Sequence, residues 1–328
     1  MKLLINIPAY NEEKVLAKTL KTLPKKIKGF DKVKIQIIDD GSKDKTKTIA
    51  QKAGADYVYS HRINRGLGSA FRTAVFKALE NGFGVMVNID ADGQFNSADI
   101  NKLVEPILKN QADIVIGSRF SGIKPKNMPW IKSFLNRMGA RMVGWFLRVK
   151  TDDLTCGFRA YNKEAMLKLN LNNQFTYTQE TIIDAINKNL NVIWKPVRVT
   201  YFKDRKAKMT KSISNFIYQS MMIIFRTIRD TKPLKFFGIP AFSILCASLV
   251  IFLFVLISYI YGYLETGVFK VTPYRNWLFL ASILLILGIQ SLVFAFLADM
   301  IKSNRKIAED EMYESRKKNF SRSKQTDK

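Results

Sequence analysis

Short apolar runs alternate with longer amphipathic stretches over the first 118 residues of the chain. This alternation is typical of β-α units around a mostly parallel sheet. Five strands are predicted, at residues 3–7, 34–38, 57–60, 85–89 and 114–117. Four helices are predicted between them, at residues 12–23, 45–53, 68–81 and 97–109. The chain is therefore expected to begin with an α/β domain.

Beyond residue 120 the pattern is less regular. It predicts an amphipathic helix around residues 128–147, a polar loop at 152–159 and a strand at 192–201. Apolar residues then recur at helical spacing from 212 to 230, with Lys211, Arg226 and Arg229 within or beside the stretch. This stretch fits a helix lying on the inner leaflet of a membrane, and equally an ordinary amphipathic helix packed on the domain.

Two long stretches, residues 236–263 and 277–298, contain no charged side chain. Each is long enough to cross a bilayer, which takes about 20 apolar residues in a helix. Tyr259, Tyr261, Tyr263 and Trp277 lie near their ends, where aromatic side chains collect at a membrane interface. We expect an antiparallel pair of transmembrane helices. The alternative is a pair of buried core helices in a soluble protein, but core helices are usually shorter.

The predicted chain thus has four segments. These are an α/β domain at 1–211, an amphipathic juxtamembrane helix at 212–235, a two-helix transmembrane hairpin at 236–298 and a basic tail at 299–328. The tail is compatible with a helix or with disorder.

The distribution of charge beside the spans predicts their orientation. Residues 203–235 are rich in Lys and Arg, whereas the charged residues of the connection at 264–276 are only Glu265, Lys270 and Arg275. Basic segments stay on the cytoplasmic side. The apolar run at residues 3–7 is too short for a secretory signal. We therefore expect a multi-pass protein of the inner (cytoplasmic) membrane, with the α/β domain and the C-terminus in the cytoplasm.

The composition indicates an anionic partner. The chain has 53 Lys and Arg against 27 Asp and Glu, a net charge of +26. No stacking-aromatic motif or Gly-rich nucleotide fingerprint accompanies this charge, so nucleic acid is not expected as a partner. An acidic membrane surface and a phosphorylated substrate fit better. With Cys156 in the cytoplasm and Cys246 in the bilayer, neither a disulfide nor a zinc site is expected.

Polar clusters follow four of the predicted strands. They are Pro8-Ala9-Tyr10-Asn11-Glu12, Asp39-Asp40-Gly41-Ser42, Asp90-Ala91-Asp92-Gly93-Gln94 and Gly117-Ser118-Arg119. Any one of them alone could be a helix cap or a turn. Four in succession fit the rule that open α/β sheets bind ligands beyond the carboxyl ends of their strands.

Asp90 and Asp92 can coordinate a divalent cation, and diphosphate oxygens can complete the coordination sphere of that cation. Gln94 can add a carbonyl oxygen. Oxygen ligands favour Mg²⁺ or Mn²⁺ over zinc. Such an ion neutralises the charge that builds on a departing nucleotide diphosphate.

Other residues of the same clusters suit a nucleotide. Asp40 and Glu12 can hydrogen-bond a nucleoside, and Tyr10 and Pro8 offer flat apolar surface for a base. Three cations can bind phosphates, namely Arg119, Arg205 and Lys211. Lys211 on its own is equally well explained as a surface charge.

Taken together, these motifs resemble the family 2 inverting glycosyltransferases, most closely the dolichyl-phosphate mannose synthase and bacterial polyprenyl-phosphate glycosyltransferase branch. The resemblance covers residues 1 to about 211 and includes Thr155-Cys156-Gly157-Phe158-Arg159 and Arg205 with Lys211. It implies a GT-A fold, which is Rossmann-like with a mostly parallel sheet. It implies Asp90, Asp92 and Gln94 as metal ligands, and Asp90, Asp92 and Arg119 as the catalytic set. The implied donor contacts are Pro8, Tyr10, Glu12, Ile38, Asp40, Asp90, Ala91, Arg119, Arg205 and Lys211.

Two departures bear on the reaction that the resemblance implies. The basic stretch usually reads R-x-x-G-x-S-K, but here Lys208 replaces Gly and Thr210 replaces Ser. The Q-x-x-R-W signature of processive polysaccharide synthases is missing. The missing signature favours the transfer of one sugar per turnover. The resemblance implies that this sugar passes from a UDP- or GDP-sugar, with inversion, to a polyprenyl phosphate.

A lipid phosphate is already anionic and needs no general base. Arg159 and Lys211 are candidates to hold it. Glu180 is the base to nominate if the acceptor is instead a hydroxyl of a saccharide or a protein. A catalytically silent nucleotide-sugar-binding scaffold is a further alternative. The sequence leaves open whether the chain forms a homo-oligomer.

Overall fold

The computed structural model describes residues 1–121, 128, 130–171, 176–201, 218, 221–222, 225–226, 228–267 and 274–322. The chain divides into two compact units. The first is formed by Met1–Ile224 together with Glu309–Lys328, and the second by Phe225–Ala308. The first unit thus takes in part of the segment that the sequence analysis treats as a tail.

A seven-stranded sheet forms the centre of the first unit, in the order β3-β2-β1-β4-β6-β5-β7. All neighbouring strands pair in parallel except where β6 is involved. The mostly parallel α/β fold predicted from the sequence is confirmed. The strands are β1 (Lys2–Ala9), β2 (Lys32–Asp39), β3 (Tyr57–Ser60), β4 (Val85–Asn88), β5 (Ile114–Ser118), β6 (Arg159–Asn162) and β7 (Val192–Pro196).

The strand β6 has no counterpart among the predicted elements. It runs antiparallel between β4 and β5 and begins at Arg159, where the sequence predicts the end of a polar loop. A strand of four residues that opens on a charged side chain shows no recognisable period of hydrophobicity. The strand predicted at 192–201 ends at Pro196, and Val199 then forms an isolated antiparallel bridge with Phe95.

The five helices predicted up to residue 147 are present in the predicted order, whereas the helices at Lys163–Lys168 and Thr178–Asn187 were not predicted. The predicted helix at 12–23 is shorter than expected, because residues 12–15 form a turn before it. The one at 97–109 begins with a 3₁₀ turn at Ser97–Asp99. The helices of the first unit are α1 (Leu16–Lys21), α2 (Thr46–Lys52), α3 (Leu67–Glu80), α4 (Ile100–Leu108), α5 (Trp130–Leu147), α6 (Lys163–Lys168) and α7 (Thr178–Asn187).

The central strands are buried on both faces. In β1 the side chains from Leu3 to Ala9 are all buried, as the near-continuous apolar run of a central parallel strand requires. Asn6 is the polar exception. Its side-chain amide donates to Asn88 Oδ1 (2.6 Å), and its own oxygen accepts from Gln36 Nε2 (3.0 Å). These bonds join β1 to its two neighbours inside the core.

A buried ion pair fastens the loop before β6 to the end of β5. The Arg119 guanidinium donates from Nε to Asp153 Oδ2 (2.7 Å) and from Nη2 to Asp153 Oδ1 (2.7 Å). The Asp153 side chain has no exposed area. Burial would raise the pKa of this carboxyl, but attraction and hydrogen bonding to Arg119 outweigh burial and hold the pKa below its ordinary value.

The second unit contains most of two long helices. They are α8 (Pro233–Thr266) and α9 (Arg275–Arg322), and α9 continues into the first unit. Both have the length and composition of membrane spans. Ser248 Oγ donates to Ala281 O (2.8 Å), and Ser291 Oγ to Phe237 O (3.4 Å), so the two helices pair antiparallel. Phe242 is 70% exposed and Ile286 64%, which argues against the alternative of buried core helices.

The helix predicted at 212–230 falls largely outside the described residues, so its two interpretations both stand.

Replacing Asp153 with Asn should destabilise the first unit, because it leaves the Arg119 charge buried without its partner. We expect a loss of about 3–5 kcal/mol in the free energy of unfolding at neutral pH. The folded carboxyl has a lowered pKa, so its contribution is complete above the unfolded pKa of about 3.9 and is lost as pH falls through the folded value.

The measurement is urea unfolding of the full chain at several pH values, followed by tryptophan fluorescence. Trp194 is a local reporter, since its Nε1 donates to Asp153 O (3.1 Å). The gap between wild type and Asp153→Asn should stay constant from about pH 7 to 5 and narrow below about pH 4. The exposed Asp31→Asn serves as the control and should leave unfolding nearly unchanged, because its ion pair with the N-terminal amine lies at the surface. Equal stability of the wild type and Asp153→Asn at neutral pH would contradict the assigned role.

Candidate functional site

The polar residues after β1 and β2 form one hydrogen-bonded set of loops. Asn11 N donates to Ser42 Oγ (2.9 Å), and Lys43 N donates to Asn11 Oδ1 (2.8 Å). Glu12 N donates to Thr46 Oγ1 (2.7 Å) at the start of α2. The structure therefore brings together the first two predicted clusters, as the carboxyl ends of neighbouring parallel strands require.

Asp40 is buried and holds the loop that precedes α3. Its Oδ1 lies 2.7 Å from His61 Nδ1 and accepts from Arg65 N (3.0 Å), while Oδ2 accepts from Gly66 N (2.8 Å). A nucleoside bound here would meet a carboxylate that already accepts these bonds. Nothing in the local sequence pattern indicates this role of His61.

Pro8 and Ile38 are partners in the register of β1 and β2, so these two predicted donor contacts are adjacent. Both side chains are buried, so a donor would contact these two residues through their backbone atoms. Tyr10 and Glu12, which follow β1, are half-buried.

The segment Asp90-Ala91-Asp92 follows β4 directly, as predicted. Ala91 is buried, and its carbonyl accepts from Thr19 Oγ1 of α1 (2.9 Å). Asp92 Oδ1 accepts from Gln94 N (3.0 Å) in a tight turn in which Gly93 has φ +70°. Both carboxylates are half-buried.

The donor atoms at this position suit a hard divalent cation. Asp90, Asp92 and Gln94 offer carboxylate and carbonyl oxygens, the ligands of Mg²⁺ and Mn²⁺. Within the described ranges, no three His, Cys, Asp or Glu side chains converge on one point. A cation held by these residues would therefore need further oxygens from a ligand, as metal–nucleotide sites commonly have.

Gly157 lies against the carboxylate of Asp90. A Cβ atom at this position would be 2.8 Å from Asp90 Oδ1 and 3.2 Å from Oδ2, closer than side chains pack. The Gly157 carbonyl accepts from Asn88 Nδ2 (3.1 Å) and from Tyr177 Oη (3.0 Å). A side chain at this position would displace the Asp90 carboxylate.

Arg119 occupies a different role from the one predicted. Besides its pair with Asp153, it donates from Nη1 to Tyr201 Oη (3.0 Å) and from Nη2 to Thr155 Oγ1 (2.6 Å). The residue is buried. In this structure its guanidinium joins β5, the 152–158 loop and Tyr201, rather than facing a phosphate.

Arg159 is 0% exposed, and this contradicts its predicted contact with an acceptor phosphate. Its Nε donates to Cys156 O (2.7 Å), its Nη1 to Thr181 Oγ1 (2.6 Å) and its Nη2 to Leu154 O (3.1 Å). A buried guanidinium with these bonds fixes the loop from inside. The predicted phosphate-binding residues Arg205 and Lys211 lie outside the described residues.

The residues that support the loop carry no signal in the sequence. Asn88 and Tyr177 have no motif around them, and their role depends on β6 and α7 being neighbours of β4. Burial raises the pKa of the Cys156 thiol to about 12, so this residue is a neutral core group at physiological pH. Glu180 is buried in the first turn of α7.

Comparison with known proteins agrees with this geometry. The pattern that defines the family described as "Glycosyl transferase family 2" matches residues 5–169. The chain is 30% identical, over 68% of its length and 96% of the relative's, to a UDP-N-acetylglucosamine–dolichyl-phosphate N-acetylglucosaminyltransferase of Methanococcus voltae. It is 29% identical to a polyprenol monophosphomannose synthase of Mycolicibacterium smegmatis, over 66% of this chain and 83% of that one.

A solved structure shares the fold. It is the glucosyl-3-phosphoglycerate synthase of Mycobacterium tuberculosis in complex with Mn²⁺, uridine diphosphate and glucosyl-3-phosphoglycerate. The match has a TM-score of 0.54 at 17% identity and covers 69% of this chain and 80% of that one. With the GT-A fold in the first unit and the family pattern over half of the sequence, the chain is a glycosyltransferase that belongs to glycosyl transferase family 2.

Proposed function

We propose that this glycosyltransferase transfers a single sugar from a UDP- or GDP-sugar to a polyprenyl phosphate, with inversion, at the cytoplasmic face of the membrane. The observation that carries the proposal is the position of Asp90 and Asp92 at the end of β4, with Gly157 packed against Asp90. The relatives named for dolichyl-phosphate and polyprenol substrates support the acceptor class.

The proposed donor site lies at the carboxyl ends of β1, β2 and β4. Asp90, Asp92 and Gln94 would hold Mg²⁺ or Mn²⁺, which would offset the negative charge of the departing nucleotide diphosphate. The structural neighbour described with both Mn²⁺ and uridine diphosphate supports this assignment. Pro8, Tyr10 and Glu12 are the proposed contacts of the nucleoside. Arg205 and Lys211 are the proposed contacts of its phosphates.

Helix α5 supports a lipid acceptor. Phe134 is 59% exposed and Trp145 80%, and Arg137 and Arg141 beside them are exposed as well. Exposed aromatic and basic side chains on one helix suit a surface of anionic lipid headgroups. The helix is also tied to the site loop, because Asn136 Nδ2 donates to Asp153 Oδ1 (3.0 Å). A lipid surface at α5 would bring an acceptor phosphate to the unit that holds the donor site.

The proposed reaction is a direct displacement. An oxygen of the lipid phosphate attacks the anomeric carbon, and the bond from that carbon to the nucleotide diphosphate breaks on the opposite side. The configuration at the carbon is thereby inverted. Because a phosphate monoester oxygen is already anionic at neutral pH, no side chain has to remove a proton. Glu180, buried in α7, then has a structural role.

The proposed orientation rests on the basic residues near the spans. Lys232, Lys235, Lys302 and Arg305 flank the two apolar stretches on the side that would face the cytoplasm. In this arrangement the first unit meets cytoplasmic nucleotide sugars and the phosphate group of a membrane lipid.

The first test incubates membranes that contain the full chain with labelled UDP- and GDP-sugars, polyprenyl phosphate, and Mg²⁺ or Mn²⁺. We expect one donor to give lipid-extractable label that disappears with a chelator. Asp90→Asn and Asp92→Asn should each lower the rate by about 100-fold or more, because each removes a proposed metal ligand. Asp31→Asn, at an exposed position at the amino-terminal end of β2 and so at the opposite edge of the sheet from the site, should transfer at the wild-type rate.

Absence of lipid label with every donor would refute the proposed function. Measured binding of a nucleotide sugar without any turnover would instead identify a silent binder.

A second test separates a phosphate acceptor from a hydroxyl acceptor. With a lipid phosphate, Glu180→Gln should keep the transfer rate within about threefold of wild type, because no general base is needed. The measurement is the initial rate at saturating donor and lipid, with thermal unfolding as the check on folding. A folded Glu180→Gln protein that has lost transfer would favour a saccharide or protein hydroxyl as the acceptor.

A further inference from the structure

The C-terminal end of α9 belongs to the first unit and packs through one face on the helices of the α/β domain. Glu309, Tyr313, Arg316 and Phe320 are half-buried, whereas the residues between them are exposed. Their spacing of four, three and four residues places them on a single side of the helix. We call these four residues the tail face. None of the proposed site contacts includes them.

Each residue of the tail face has a partner in the α/β domain. Glu309 forms an ion pair with Lys188 (3.0 Å) at the end of α7. Tyr313 Oη donates to Glu164 Oε1 (3.0 Å) in α6. The rings of Phe320 and Phe76 meet edge to face with centroids 5.6 Å apart. The tail face thus contacts α3, α6 and α7, three helices that are separate in sequence.

Arg316 makes the most specific of these contacts. Its Nη1 donates to Leu167 O (3.1 Å) and to Leu169 O (3.1 Å). Leu167 belongs to the last turn of α6, and Leu169 is the residue that ends it. Carbonyls at the end of a helix lack partners within the helix, so a guanidinium that binds two of them fixes where the helix ends and how the chain leaves it.

The chain that leaves α6 is held from other sides as well. Asn170 N donates to Asp184 Oδ2 (3.0 Å), and Arg72 Nη1 donates to Leu171 O (3.1 Å). Lys188 Nζ donates to Lys168 O (2.8 Å) and also pairs with Asp184 (2.9 Å). We call residues 167–171 the exit segment. It forms hydrogen bonds with α3, with α7 and with the tail face.

The exit segment leads to a residue that supports the proposed metal site. Tyr177 stands at the start of α7, and its Oη donates to Gly157 O, next to the carboxylate of Asp90. Its ring stacks on Phe71 of α3 with centroids 4.0 Å apart. The exit segment is also tied to α7 itself, because Asn170 N donates to Asp184 Oδ2. A displacement of the exit segment would therefore act on α7 and on Tyr177 at its start, then on Gly157 and Asp90.

We propose that Arg316, assisted by Tyr313, is a positioning residue: the tail face holds the exit segment so that Tyr177 keeps Gly157 and Asp90 in place for transfer. The expected effect of Arg316 on turnover rests on the proposed function. The contacts by which the tail face fixes the exit segment do not depend on that function.

The test compares full-length wild type, Arg316→Ala, Arg316→Lys and Lys318→Ala in the same lipid nanodiscs. Lys318 is an exposed cation of the same helix turn, so its variant is a matched control for lost charge. The first readout is amide hydrogen exchange in peptides covering residues 167–171 and 176–181. Arg316→Ala should exchange about tenfold faster there, because the carbonyls lose a charged donor. Peptides from β1 and β4 should exchange at the wild-type rate.

The second readout is the initial rate of transfer. It should fall by about tenfold in Arg316→Ala and stay within about twofold of wild type in Lys318→Ala. Arg316→Lys should recover most of both readouts, because an ammonium can still donate to the two carbonyls. If Arg316→Ala fails to fold, Tyr313→Phe, which loses only the bond to Glu164, replaces it under the same criteria.

The outcomes separate the two proposals. If amide hydrogen exchange in the two peptide ranges is unchanged in Arg316→Ala, the tail face does not fix the exit segment. Faster local exchange with wild-type turnover overturns the positioning role, and so does an equal increase in β1 and β4. If the wild type transfers no sugar from any donor, the proposed function fails, and hydrogen exchange alone then decides whether the tail face holds the exit segment.

Discussion

The buried pair of Arg119 and Asp153 fixes the loop that borders the candidate site at the carboxyl edge of the sheet. Removing both charges from water costs several kcal/mol per ion, and such a cost is offset only when geometry and hydrogen bonding are nearly complete. Here the guanidinium donates twice to the carboxylate and also to Tyr201 and Thr155, and Asn136 donates to the same carboxylate. The pair thereby fixes the 152–158 loop to β5, to α5 and to the chain that follows β7.

The position of this loop determines the candidate metal site. Gly157 can lie against the Asp90 carboxylate only because the backbone on either side is held, by Asp153 before it and by Arg159 after it. Two arginines that a charge argument assigns to ligand phosphates are thus internal parts of the fold. Cations that bind a substrate have to come from other positions, and Arg205 and Lys211 are the ones we propose.

The hydrophobic pattern predicts the central strands well because strands buried on both faces are continuous apolar runs. It also places the polar clusters correctly, since the carboxyl ends of parallel strands share one edge. It fails at β6, where burial is achieved by pairing the Arg159 side chain with backbone carbonyls. The roles of Asp40 and Arg119 depend on partners far away in sequence, such as Gly66 and Asp153. No local pattern contains that information.

The contacts of the C-terminal helix likewise cannot be predicted from a local sequence pattern. The apolar stretches at 236–263 and 277–298 stand out by composition alone, and both lie within helices long enough to span a membrane. The tail face is mostly polar, so its burial on the first unit leaves no hydrophobic signature in the sequence. Its contacts depend on carbonyls and charges that only the folded α6 and α7 present.

We infer that Asp90, held against Gly157, binds a divalent cation together with a nucleotide diphosphate. The most direct measurement is calorimetric binding of UDP and GDP to the full chain, with Mn²⁺ and with a chelator, for wild type, Gly157→Ala and Gly139→Ala. A Cβ on Gly139 would meet Leu154 at 3.8 Å, an ordinary contact, whereas one on Gly157 would displace the Asp90 carboxylate. We expect Mn²⁺-dependent binding that is about tenfold or more weaker in Gly157→Ala and unchanged in Gly139→Ala. Wild-type affinity of Gly157→Ala in the presence of Mn²⁺ would contradict it.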